Sequence, residues 1–232
     1  MRGIEHRSHD ITHQFSTAMT CTTTMEYRVF SPDAFSNLRD WMDREETRTD
    51  YYASIASNRS SVKIRGSNGD ARLETKHLVS VHDEMQIWTK LSCPVAEAEC
   101  DATVRAAREN WIAVTKRRSL RYFDSNGLRI EPDEIDEEGN DEIHDPPTQA
   151  EAAEVVVAGQ TFFTFALERQ IKIPTNSNNS RHQHAYREAT DSLRLILRHA
   201  GFTSATIPPN ESYPEWLRRR TIESCQTADE PA

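Results

Sequence analysis

Cysteine is scarce in this chain: Cys21, Cys93, Cys100 and Cys225 are the only four, and no two form a C-x-x-C pair. A disulfide framework is therefore not the organising principle, and a reducing setting is expected. Long apolar runs are missing as well. Nothing approaches the ~20 residues of a membrane span, and the N-terminus lacks the apolar core of a signal peptide. The expectation is a nuclear or cytoplasmic protein, not a secreted one, with no membrane partner. Positive charge is also in short supply, with 28 Lys and Arg against 37 Asp and Glu and a formal charge of -9. That balance excludes a protein that coats nucleic acid by bulk electrostatics, but it leaves room for a small, focused basic site.

What is present is enough for one folded unit. The 232 residues are 36% hydrophobic and show no internal repeat, which suits a single domain with a modest core. Residues 1–22 lack sustained periodicity and read as a flexible tail, and 221–232 read as another. The acidic, Pro-punctuated stretch 131–154 reads as a linker, with 136–154 as a mobile insertion in a domain spanning 23–220.

Within that domain the dominant pattern is alternation with period two, the signature of strands. It runs through "TMEYRVF" (24–30), "SSVKIRGSNGDARLETKHLV" (60–79, a hairpin turning at "GSNGD"), "MQIWTKLSCPV" (85–95), "WIAVTKRRSLRYF" (111–123) and "TFFTFALER" (161–169). Helical patterns separate them. "SPDAFSNLRDWMDREE" (31–46) has Ser31 as an N-cap and Pro32 at the first helical position. Residues 96–110 have helical composition. Residues 185–201 place Ala189, Leu193, Ile196, Leu197 and Ala200 on one face and close at Gly201. A short helix is expected from Pro214 to about Glu223.

The strands carry a second, charged face: Glu26 with Arg28, Lys63 with Arg65, Glu74 with Lys76, then Lys90, Lys116 with Arg118, and Glu168. Two arrangements produce this. Either the sheet presents a solvated polar surface, or it curls into a barrel whose lumen is lined with charge while the apolar faces pack outward on helices. Cations repeated strand after strand repel unless an anion offsets them. Single carboxylates among them suit a hard cation bridging to phosphate oxygens. Arg117 and Arg121 alternate to the opposite face and are expected outside. Trp88 and Trp111 fit core packing better than base stacking.

The order of these motifs resembles the triphosphate tunnel metalloenzymes. "VTKRRSLRYF", "LRIEPDEI" and "QIWTKLSCPV" are similar to strands of the metal-dependent mRNA 5′-triphosphatase, the first-step capping enzyme. "VKIR", "LETK" and "SYPEWL" (212–217) are similar to the CYTH group, which acts on small triphosphates. The resemblance implies an eight-stranded antiparallel β-barrel with flanking helices, a β-dominated α+β fold. It further implies a hydrolase that removes the γ-phosphate from triphosphate-ended RNA, with a small-molecule triphosphatase or a degenerate binding barrel as alternatives. Glu26 and Glu168 would hold Mg²⁺ or Mn²⁺. Lys116 and Arg118 would act with them in catalysis, and Arg28, Lys63, Arg65, Lys76 and Lys90 would grip the phosphates. Glu74 and Glu131 become candidates to orient water, and an RNA guanylyltransferase becomes a candidate partner. The family's E-x-E-x-K and E-x-E strands are here Thr24, Glu26, Arg28 and Ala166, Glu168, so each pair lacks one glutamate.

Overall fold

A computed structural model describes residues 19–31, 38, 44–53, 57–67, 70–131, 145–172, 179–202 and 209–228. Nine strands and three helices are present among them. They are β1 (Thr20–Ser31), β2 (Arg44–Tyr52), β3 (Ser60–Ser67), β4 (Asp70–His82), β5 (Met85–Pro94), α1 (Glu97–Asn110), β6 (Ile112–Phe123), β7 (Arg129–Ile130), β8 (Thr148–Val157), β9 (Gln160–Gln170), α2 (Asn179–His199) and α3 (Tyr213–Ala228). The strand order β2-β3-β4-β5-β1-β9-β8-β6 closes through a β2–β6 pairing into an eight-stranded antiparallel barrel, and β7 is an extra strand on the far end of β6. Of the two arrangements open to the sequence, the barrel is the one that forms.

Period-two alternation explains why the barrel has two different faces. Met25, Tyr27 and Val29 of β1 point outward with Phe165 and Leu167 of β9, and α2 covers them with Ala189, Leu193, Ile196 and Leu197. On another sector α1 packs Cys100, Val104 and Ala107 over Tyr51, Ile64 and Ala71. Each helix hides an apolar stripe that the strands present on their outer face, so the inner face is left free for other chemistry.

One end of the lumen is closed by α3. Tyr213, Trp216 and Leu217 pack on Tyr52, Val114, Ala153, Val155, Val157 and Phe162, with Phe30 alongside. Trp216 is fully buried, stacked on Phe30 at 4.4 Å and edge-on to Phe162 at 5.0 Å. The lead into the helix is stitched to the edge of β1. Pairing of β1 with β5 stops at Glu26, and beyond it the Arg28 N–H donates to Asn210 Oδ1 (2.9 Å) while Glu211 N–H donates to the Arg28 carbonyl (2.8 Å). Ser212 Oγ accepts from Glu215 N–H at 3.3 Å, an N-cap.

Several sequence expectations need correction. β2 starts at Arg44, so the last three residues of the expected 31–46 helix are strand. Ser31 ends β1, Leu38 is helical and buried, and the other residues of that helix lie outside the described ones. β8 occupies 148–157, so the expected insertion 136–154 contains most of a barrel strand. β1 begins at Thr20, inside the expected N-terminal tail, and α3 runs to Ala228, inside the expected C-terminal one. The common cause is that β2 and β8 do not read as strands alone. β2 ("REETRTDYY") places Glu46, Arg48 and Asp50 on its inner face, and β8 ("TQAEAAEVVV") uses alanines where α2 lies close.

Candidate active site

The lumen forms an open cavity of about 140 Å³. All nine expected site residues line it: Glu26, Arg28, Lys63, Arg65, Lys76, Lys90, Lys116, Arg118 and Glu168. Strands β1, β3, β4, β5, β6 and β9 contribute them, each from the face that the alternation assigns inward. Sequence reasoning passed over five more contributors. Arg48, Tyr52, Glu151 and Tyr213 line the cavity, and Asp50 sits fully buried behind it. The alternation Glu46-x-Arg48-x-Asp50 was the available signal for two of these positions. Glu131 does not join the site; it follows β7, outside the barrel, about half exposed and paired with Arg129. Arg117 faces outward, as expected, and pairs with Glu45 in solvent. Trp88 is buried at the lumen wall, its indole N–H donating to Gln86 Oε1 at 3.2 Å.

The charges are divided unevenly. Around Asp50 the cations crowd: Lys63 Nζ lies 2.9 Å and Lys116 Nζ 3.5 Å from Oδ2, while Arg48 and Arg65 lie 3.5 and 3.7 Å from Oδ1. Glu74 beside it takes Lys63 and Arg65 at 3.2 Å and Lys90 at 3.4 Å. Burial alone would raise the Asp50 pKa, but Lys63, Lys116, Arg48 and Arg65 hold it well below the usual carboxylate range. Glu74 is likewise pulled against burial to about 2. That makes Glu74 a poor proton acceptor, which argues against its expected role toward water. The lysines respond in the other direction. Burial, only partly offset by Asp50, brings Lys63 down to about 8 and puts Lys116 well below an ordinary lysine. Lys116 Nζ also sits 3.7 Å from the centroid of the Tyr213 ring.

Glu26 and Glu168 show the reverse balance. They are direct partners in the β1–β9 register, and Lys76 is the one cation in salt-bridge range of either among the described residues. Lys76 donates to Glu26 Oε1, and its Nζ is 3.4 Å from Glu168 Oε2. Burial would raise the Glu168 pKa, but Lys76, Lys90, Arg28 and a hydrogen bond with Glu26 hold it below the usual carboxylate range. Thr24, in place of a glutamate, gives its hydroxyl to Glu26 Oε1 at 3.1 Å. Ala166 has a spatial consequence too. It lies in register between Arg28 and Glu151, and its small side chain lets Arg28 reach across β9 to Glu151 Oε1 at 3.0 Å. Arg118 takes the other oxygen at 2.9 Å.

Three buried donors in cavity-lining residues have no hydrogen-bond partner: Arg48 Nε, Arg65 Nε and Tyr213 Oη. Buried donors are normally satisfied; Arg48 Nε and Arg65 Nε lie 3.5 and 3.7 Å from Asp50 Oδ1, itself without a hydrogen-bond partner, and Tyr213 Oη suits an anion oxygen. Eight cations line the cavity with three carboxylates. Asp50, Glu74 and Glu46, which also pair with these cations, still leave a surplus of two positive charges at full ionisation, inside a chain of net charge -9.

No protein-family profile matches the sequence, and no curated protein matches it. Solved structures do. A conserved hypothetical protein from Pyrococcus furiosus is 11% identical with a TM-score of 0.44, covering 84% of this chain and 99% of that one. A proposed adenylate cyclase from Bacillus halodurans is 12% identical with a TM-score of 0.43, covering 83% and 96%. A proposed adenylyl cyclase from Hippeastrum with a dominant triphosphatase activity is 11% identical with a TM-score of 0.43, covering 86% and 96%. Likeness at this level carries no functional argument.

Proposed function

We propose that this protein hydrolyses the terminal phosphoanhydride of small triphosphate-bearing molecules inside the barrel, with Mg²⁺ or Mn²⁺ as cofactor. The division of lumen charge carries this reading. Lys63, Lys116, Arg48, Arg65 and Lys90 outnumber the Asp50 and Glu74 carboxylates they surround, so that wall attracts a polyanion. The Glu26–Glu168 pair has one ammonium for two carboxylates, so the facing wall attracts a cation.

The donor set suits a hard divalent ion. Two carboxylates with phosphate and water oxygens match the usual Mg²⁺ shell, and no cluster of three or more His, Cys, Asp or Glu ligands exists among the described residues. Bound there, the metal would polarise a phosphate oxygen and neutralise developing charge. The chain's own groups do the rest. Lys63, Arg65, Lys76, Lys90 and Arg28 hold the phosphate chain, as charge-assisted bonds to phosphate favour. Lys116 and Arg118 stabilise charge on the transferred group, and Asp50 and Glu151 fix their positions. Water adds to the terminal phosphorus as the bridging P–O bond breaks, giving orthophosphate and the shortened chain. A loose transition state of this kind asks more for positioning and charge than for a strong base.

The cavity favours a small substrate because α3 closes one end and the outward Arg117 is neutralised by Glu45. The capping reading, with triphosphate-ended RNA, a guanylyltransferase partner and a nuclear setting, is tested in the same experiment. Phosphate release is measured from tripolyphosphate, nucleoside triphosphates and triphosphate-ended RNA, with Mg²⁺ or Mn²⁺, for wild type, Glu26→Ala and Glu168→Ala. Metal-dependent release from the small substrates, lost in both variants, is expected. Preference for RNA would shift the reading to the capping reaction. No release from any substrate by folded protein would leave a binding barrel.

A further inference from the structure

The Glu26–Glu168 pair supports an inference that rests on the metal-dependent reading above and goes beyond it. Register sets the two carboxylates directly opposite each other on β1 and β9, where like charges repel. The residue that relieves this comes from β4, on the far side of β5 in the strand order. Lys76 donates to Glu26 Oε1 and approaches Glu168 Oε2 to 3.4 Å. Its ammonium thus bridges an oxygen of each carboxylate, as a metal ion would. No other cation among the described residues forms a salt bridge to either glutamate. By contrast, Asp50 has four such partners and Glu151 two. Lys76 is the one direct salt-bridge partner for two carboxylates, with Lys90 and Arg28 acting on Glu168 from farther off, and a dication is the better match for the pair itself. The register neighbour of Lys76 on β5 is Lys90, which pairs with Glu74.

We propose that Lys76 is an internal counter-ion for the Glu26–Glu168 pair: it holds the two carboxylates together in the metal-free protein, and a divalent cation displaces it. Metal loading and release of the Lys76 ammonium to the phosphate chain are then one event. Phosphate-binding charge is thereby increased only when the metal is in place.

The test is direct Mn²⁺ binding to the full chain, read from the electron paramagnetic resonance signal of free Mn²⁺, together with thermal unfolding with and without Mn²⁺. Lys76→Met is expected to bind Mn²⁺ at least roughly tenfold tighter than wild type. It should unfold at a lower temperature in metal-free buffer and recover when Mn²⁺ is added. Adding Glu168→Gln to Lys76→Met should remove both the loss and the gain. Lys76→Arg keeps the charge and offers a planar fork to both carboxylates, so it should fold normally and bind Mn²⁺ several-fold more weakly than wild type. If wild type binds Mn²⁺ but Lys76→Met binds no tighter, or Lys76→Arg binds no more weakly, the counter-ion role is overturned. If no variant and no wild type binds Mn²⁺, the metal reading itself fails and takes this proposal with it.

Discussion

Two carboxylate sites share the lumen and are built with opposite charge balance. At the Asp50 wall one fully buried carboxylate is surrounded by Lys63, Lys116, Arg48 and Arg65. At the other wall Glu26 and Glu168 share the single ammonium of Lys76. The contrast shows how strand register sorts similar residues into different tasks. Asp50 falls beside Arg65 and Val114 in the ladder, and cations converge on it from three strands. Glu26 falls beside Glu168, so repulsion is built in and must be relieved from a strand two places away.

The largest effect that would break this contrast is loss of Asp50. Asp50→Ala strands Lys63 and Lys116 without their shared partner in a buried site and should cost about 3–5 kcal/mol of stability, measured by urea unfolding. Tripolyphosphate should stabilise the variant more than wild type, because it replaces the missing anion. No such difference would mean that the cation cluster does not bind phosphate.

Next come Glu26→Ala and Glu168→Ala. Each should lower kcat on the best triphosphate substrate by about 10²-fold or more, while tripolyphosphate binding by calorimetry changes only several-fold. Equal loss of binding and turnover would erase the distinction between the two walls.

The ionisation states sharpen the comparison through pH. Lys63 has a folded pKa of about 8, so the phosphate wall loses charge above that value. Tripolyphosphate affinity should decline as pH rises from about 8, and Lys63→Met should flatten that limb of the profile. Acid acts on the carboxylates. Glu74, depressed to about 2, stabilises the fold fully above its unfolded pKa of ~4.3. That contribution is lost as pH falls from there through about 2. Glu74→Gln should make the melting temperature less sensitive to pH across that window.

The smallest effect should come from outside the barrel. Arg117→Ala removes an exposed pair with Glu45 and is expected to cost under ~0.5 kcal/mol. A large loss of activity there would instead point to a substrate that extends beyond the lumen.

How much of this was legible in the sequence depends on what each strand's outer face packs against. β1 and β9 alternate apolar and charged residues because α2 covers their outer side, so Glu26, Arg28 and Glu168 could be assigned inward from the pattern alone. β3, β4 and β5 alternate as clearly, though Val62, Leu73 and Leu91 on their outer faces are exposed, and β6 was readable from its inward cations Lys116 and Arg118. β2 and β8 were not. The inner face of β2 is charged and its outer face mixes Glu45, Thr47 and Thr49 with Tyr51, leaving no apolar stripe to find. β8 packs small alanines where α2 and the lumen crowd it, and in one dimension alanine and glutamate read as helix or linker. The missed strands carried Arg48, Asp50 and Glu151, the groups that set the charge balance.

Sequence by itself determined the two-faced strands, the helices that cover them and the cation-rich inner face, because side-chain periodicity is a local property of the backbone. Tertiary structure decided which charges meet. Only closure of β2 on β6 brings Asp50 to Lys116, only the space above Ala166 lets Arg28 reach Glu151, and only the path of 209–212 along β1 seats Tyr213 and Trp216 in the lumen. These are contacts between residues far apart in the chain, fixed by register and closure, and no local pattern encodes them.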